Sequence, residues 1–190
     1  MKRQFLITAA ASAAIALVGL SGCVTNSSPG FAAGEKPRSM EDGIATTMSA
    51  LYTSVPGSQE LAEKARGVLV FPRVVDAGVI VGGEYGRGAL VVDGRIVGNY
   101  KVTSVSLGVQ AGLQSQSLVL MFLSQEALDR FQNSDGWTAG ADASLALGRV
   151  GANGRLETFS DNGVVAFPLT NAGLMAGANV NGTRISKVGT

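Results

Sequence analysis

Few side chains in this 190-residue chain can do chemistry. There is no histidine, which excludes Ser-His-Asp and Cys-His arrangements and the common zinc sites. Cys23 is the one cysteine, so it cannot form an internal disulfide. Two carboxylates, Glu84 and Asp142, stand among small and apolar residues, where burial could turn a carboxyl into a proton donor or acceptor. Isolated carboxylates rarely make a catalytic site, and the stronger reading is structural. In it Asp142 is a buried hydrogen-bonding residue that holds a sheet, and Glu84 is an exposed turn residue. Nothing calls for a cofactor or a metal, and the chain reads as a protein other than an enzyme.

Four cations, Arg73, Arg87, Arg95 and Lys101, share one glycine-rich stretch. Any of them could meet a phosphate oxygen. For each singly, a solvated strand-edge charge that discourages aggregation is the stronger reading. The block Gly82-Gly83-Glu84-Tyr85-Gly86-Arg87-Gly88 invites comparison with a phosphate-binding loop. It lacks the Gly-Lys-Ser/Thr ending, and a strand follows it rather than a helix whose dipole would hold the phosphate, which argues against a nucleotide.

The elements that carry these residues are mostly strands. From Ala65 to Gly112, short Val/Ile/Leu runs are broken by glycine, the pattern of bent antiparallel strands. Asp93-Gly94 lies between two apolar runs and specifies a tight type I′ hairpin turn. Pro72, with no N–H for a ladder, is expected at an edge or at the end of the first strand. Val105 to Leu113 alternates apolar and polar, Ser117 to Leu123 is apolar throughout, and Ala139 to Leu147 alternates again. Asn153-Gly154, Asn162-Gly163 and Asn181-Gly182 are further turn signals, with strands expected near Gly163–Pro168, Leu174–Val180 and Thr183–Val188.

Helical periodicity places Met40, Ile44, Met48 and Leu51 on one face of a first helix, which Pro56-Gly57 ends. Ser58 is positioned to cap a second through Arg66, and Ser124 a third to about Asn133 with Glu126 and Arg130 at i,i+4. The fold class is therefore α+β: a strongly curved, mainly antiparallel β-sheet or small barrel-like sheet of eight or nine short strands, with flanking N-terminal and mid-chain helices. Trp137 and Tyr100 are expected in its core.

Residues 1–22 read as a targeting segment, with Lys2-Arg3 before an apolar run from Phe5 to Leu20 that is too short for a good membrane span. The segment ends in Leu20-Ser21-Gly22-Cys23, which resembles the bacterial lipobox; that resemblance implies lipidation at Cys23. Residues 23–37 then form the lipidated N-terminus and a flexible Gly/Pro-containing tether, and 38–190 a single domain. Loss of Lys2 and Arg3 leaves 13 basic against 14 acidic residues, a net charge of −1. No Lys/Arg cluster points to nucleic acid. By analogy with bacterial lipoproteins, Val24 in place of aspartate favours the outer membrane, with the domain in the periplasm.

Several ordered blocks carry a family resemblance. Gly67-Val-Leu-Val-Phe-Pro72, Ala77-Gly78, Gly82 to Gly88, Leu107 to Gly112, Val119-Leu-Met121 and Gly140 to Ser144 together resemble the SYLF, or Ysc84, family, from about Met40 to the C-terminus. The resemblance implies a binding module for phospholipid or another amphiphile. Eukaryotic relatives bind phosphoinositides, and their N-terminal region has been assigned a membrane-inserting role. Here the first helix has Glu41 and Asp42 on its polar face rather than a basic face, which favours packing on the sheet. The expected function is thus a lipid-anchored envelope protein whose domain binds phospholipid non-covalently: apolar positions on a sheet face or beside the first helix hold acyl chains, in an apolar cavity of roughly 300 to 1,000 Å³ or a groove open to the membrane, and an arginine of the meander meets the headgroup. The rival is an interaction lipoprotein that binds an envelope protein and no lipid beyond its own anchor.

Overall fold

Ser39 starts the first helix: its Oγ accepts the Asp42 N–H at 3.0 Å, and Glu41 and Asp42 sit in the first turn, where the helix dipole favours negative charge. The computed structural model describes residues 39–77, 81–107, 115–142, 145–152, 156–157, 163–171, 173–175, 180 and 182–189. The targeting segment, Cys23, the tether, Gly108 to Leu113 and Asn153-Gly154 lie outside the described residues.

Helix α1 (Met40–Ser54) buries Gly43, Thr47 and Leu51, with Ile44, Met48 and Tyr52 packed beside them. It stops where Pro56 and a left-handed Gly57 (φ 89°) cannot continue it. Gly57, not Ser58, is the N-cap of α2 (Ser58–Lys64). Ser58 is buried, and its hydroxyl donates to the Leu51 carbonyl at 3.3 Å, so a bond expected within one helix instead ties two together.

Three long strands follow: β1 (Gly67–Ala77), β2 (Val81–Val92) and β3 (Arg95–Leu107). Asp93 (φ 49°) and Gly94 (φ 72°) make the left-handed pair that a type I′ turn requires between β2 and β3. Glycines 82, 83, 86 and 88 lie inside β2 rather than breaking it, so the strands are longer than the sequence pattern implies. After β4 (Ser115–Phe122), Ser124 caps α3 (Gln125–Gln132) by accepting the Ala127 N–H. The chain continues through β5 (Trp137–Thr138), β6 (Ala146–Leu147), β7 (Arg149–Val150), β8 (Leu156–Glu157), β9 (Val164–Thr170), β10 (Gly173–Leu174) and β11 (Arg184–Lys187).

The sheet order is β10-β9-β4-β1-β2-β3-β11-β5, antiparallel except for β6, which runs parallel to β9; β7 and β8 form a separate ribbon. The sheet curls into a half-barrel. Its inner face carries the row Leu90, Leu69, Leu120 and Ala166, closed over by α3 through Leu128 and Phe131. Phe131 stacks at 4.9 Å on both Tyr100 and Phe122 and meets Trp137 edge-on at 5.7 Å, so Tyr100 and Trp137 are core residues. The outer face carries Val70, Val119 and Phe167, and α1 and α2 cover it. The apolar side of α1 is therefore occupied by the sheet.

Two expectations are corrected. Pro72 does not close an edge strand; it lies within β1, which pairs with strands on both sides. A bulge there makes this tolerable: Val70 faces Ala89 but Arg73 faces Arg87, so Phe71 and Pro72 share one opposing residue, Gly88. A Cβ on Gly88 would overlap the Val70 carbonyl oxygen and the Phe71 ring, so only glycine lets the strands close over the bulge. Ala139 to Leu147 is not one strand either, because the Ala141 and Asp142 N–H groups both bond the Thr138 carbonyl and turn the chain. Of the strand expected over Leu174–Val180, Leu174 is in β10, and residues 176–179 lie outside the described residues.

Candidate functional site

Whether a strand residue faces the core or solvent depends on strict alternation, and a bulge inverts it. In β1, Leu69 and Phe71 point inward, so alternation alone would send Arg73 into the core as well. The Pro72 bulge instead turns Val74 inward and Arg73 outward. In β3 a second bulge does the same. Ile96 faces Val91 but Gly98 faces Leu90, which leaves Val97 as the extra residue. Tyr100 and Val102 then point inward, and Lys101 outward.

The consequence is a row of like charge. Arg73 of β1 stands opposite Arg87 of β2, and Arg87 stands opposite Lys101 of β3. All three are exposed on the outer face, beyond the part that α1 and α2 cover. Like charges directly opposite one another on paired strands repel. Arg87 Nε donates to the Tyr85 hydroxyl at 3.3 Å, but no carboxylate among the described side chains forms a salt bridge with any of the three. Tyr85 is itself 49 % exposed beside the row. Arg95 is elsewhere: it follows the hairpin turn, opposite Val92, about 20 Å along β3 from Lys101 at the usual strand rise.

Glu84 occupies the other face of β2. It is half-buried and accepts hydrogen bonds from Ser104 Oγ (2.5 Å) and Gln116 Nε2 (3.2 Å). Beside it lies a cavity of about 90 Å³, lined by Val74, Val102, Leu118, Pro168, Met175 and Val180 along with Gln116, Ser117 and Thr183. Asp142 is not part of this site. It is exposed in the turn after β5, where its carboxylate accepts the Thr138 N–H at 2.5 Å. The expected roles are thus exchanged: Glu84 is the half-buried bonded group in a strand, and Asp142 the exposed turn residue.

Residues 103–189 match the model of the Ysc84 family, described as "Las17-binding protein actin regulator". This segment is similar to the Ysc84, or SYLF, family. No curated protein matches the chain. The Ysc84 match begins within β3 and runs through β11, so it takes in Ser104, Gln116 and most of the cavity wall. Arg73, Arg87 and Lys101 precede it but lie in the same sheet, hydrogen-bonded strand to strand with the matched part. Among the described residues, no group of His, Cys, Asp and Glu is arranged to hold a metal ion, and no helix is long and apolar enough to cross a membrane.

Proposed function

We propose that this is a lipid-anchored cell-envelope protein whose Ysc84 domain binds phospholipid headgroups non-covalently, as a binding module and not as a catalyst. The observation that carries the reading is the row Arg73, Arg87, Lys101: three exposed cations in register on adjacent strands, without a carboxylate partner among the described side chains. Such a row repels itself, and phosphate oxygens placed along it relieve the repulsion while accepting charge-assisted hydrogen bonds. Each Lys or Arg near an anionic lipid surface contributes about 1 kcal/mol, so three contribute roughly a hundredfold in affinity.

The expected acyl-chain cavity is not matched by the one at Glu84, so the reading proposed is headgroup contact at the bilayer surface and not enclosure of a whole lipid. The cavity at Glu84 is about 90 Å³, well below the roughly 300 to 1,000 Å³ of pockets that enclose a larger ligand. Acyl chains then stay in the membrane, and the anchor at Cys23 holds the domain near it. Arg95 has no part in this contact. The family description names a protein ligand, Las17, and by that analogy the second reading is a domain that binds an envelope protein.

Sedimentation with vesicles decides between them. Residues 24–190, which contain every described element and lack the anchor, are mixed with vesicles containing an anionic phospholipid at low and moderate salt, and lipid that co-purifies is identified by mass spectrometry. Lipid binding predicts sedimentation that weakens as salt rises, because exposed charges are screened over about 10 Å at 0.1 M. Protein that ignores every vesicle would contradict the lipid reading and leave the protein-binding one.

A further inference from the structure

The cavity on the inner face is chemically unlike the basic row, and its one charged lining group is negative. A carboxylate has about four lone-pair positions. Ser104 and Gln116 occupy one on each oxygen of Glu84, and Glu84 itself lines the cavity. No lysine or arginine among the described residues lines the cavity.

We infer that this cavity is a binding site for a primary alkylammonium group. The N–H groups would donate to the open lone pairs of Glu84, and a short methylene stem would lie against Val74, Val102 and Leu118, as the stem of a lysine lies against an apolar surface. The volume suits such a group: about 90 Å³ corresponds to several water-sized positions, enough for an amine and a short stem. A quaternary ammonium is excluded by the walls, since no aromatic ring lines the cavity to form the cage such cations require. A calcium ion would want six to eight oxygen ligands, usually several of them carboxylates, and Glu84 is the one carboxylate in the described lining. The amine could come from a soluble molecule or from an ethanolamine headgroup; the chemistry of the site is the same for both. The site lies on the opposite face of the sheet from Arg73, Arg87 and Lys101, so it stands or falls independently of the anionic-lipid reading.

The test is a titration of the full chain, ¹⁵N-labelled in a neutral detergent, with n-butylammonium chloride. The site predicts saturable shifts centred on Glu84, Ser104 and Gln116, with butan-1-ol and tetramethylammonium giving none at equal concentration. Glu84→Gln should weaken the binding at least tenfold, and Val180→Trp, which fills the cavity but keeps the carboxylate, should abolish it. Should Glu84→Gln fail to fold, Val180→Trp alone decides. Absence of saturable shifts, equal shifts with butan-1-ol, or wild-type affinity in the folded variants would overturn the proposal. Displacement of bound butylammonium by phosphatidylethanolamine bicelles, but not by phosphatidylcholine bicelles, supports it with a lipid as the source. Saturable butylammonium binding that neither bicelle displaces supports it with a soluble amine.

Discussion

Arg87 stands directly opposite Lys101 because β3 carries one residue more than a regular hairpin would need. Counting back from the Asp93-Gly94 turn without the Val97 bulge pairs Arg87 with Tyr100 and sends Lys101 to the inner face. The bulge restores both: Tyr100 packs on Phe131, and Lys101 joins the cations outside.

Adding a residue should therefore be worse than removing one. Deletion of Val97 regularises the hairpin and keeps Arg87 opposite Lys101, so the variant should fold and sediment with vesicles as the parent does. A second residue inserted after Val97 moves Tyr100 out of the core unless the bulge grows. Loss of such an aromatic contact costs about 3 kcal/mol or more. Urea unfolding of the two variants measures the difference, and equal stabilities would contradict the register argument.

Gly88 is held to glycine by contact and Gly94 by backbone conformation. Gly88→Ala meets the Val70 carbonyl and the Phe71 ring, and overpacking of this kind costs about 1–3 kcal/mol. Gly94→Ala meets nothing within 4 Å but must hold φ at 72°, a left-handed conformation that costs an alanine about 1–2 kcal/mol. Both should lower the urea midpoint, and adding Pro72→Ala should recover none of the Gly88→Ala loss, since the clash is with Val70 and Phe71. Recovery would place the clash elsewhere.

Alkaline pH should loosen the core through tyrosine. Burial pushes the Tyr100 hydroxyl above its ordinary value of 10.0, and burial followed by the Glu63 carboxylate does the same to Tyr52. The folded state then holds these protons more tightly than the unfolded one. The resulting stability is fully present below pH 10 and is lost as pH rises through the higher folded values. Thermal melts of Tyr100→Phe and the parent should fall less steeply for the variant above pH 10; parallel curves would show that Tyr100 is not linked to folding.

Much of the fold was legible because local chemistry decided it. Asp93-Gly94 fixed its turn, Pro56-Gly57 stopped α1, and the unbroken apolar run from Ser117 became a strand buried on both faces. The site was harder to read for a physical reason. Arg73 and Lys101 reach the outer face only through bulges, and a bulge is a property of two strands together, not of either sequence alone. The regular spacing of Arg73, Arg87 and Lys101, each 14 residues after the last, was the available signal, but it means nothing until the register is known. Ala139 to Leu147 shows the reverse error. Its clean alternation promised a strand, and the Asp142 carboxylate on the Thr138 N–H turned it into a loop.

The most direct test of the basic row is a charge-matched comparison. Arg73, Arg87 and Lys101 are replaced together by serine in one variant of residues 24–190, and the equally exposed Arg95, Arg130 and Arg149 in another. Both lose the same charge. Vesicle affinity at low salt should fall roughly a hundredfold in the first and much less in the second. Equal losses in the two would mean that total charge, and not the aligned row, brings the domain to the membrane.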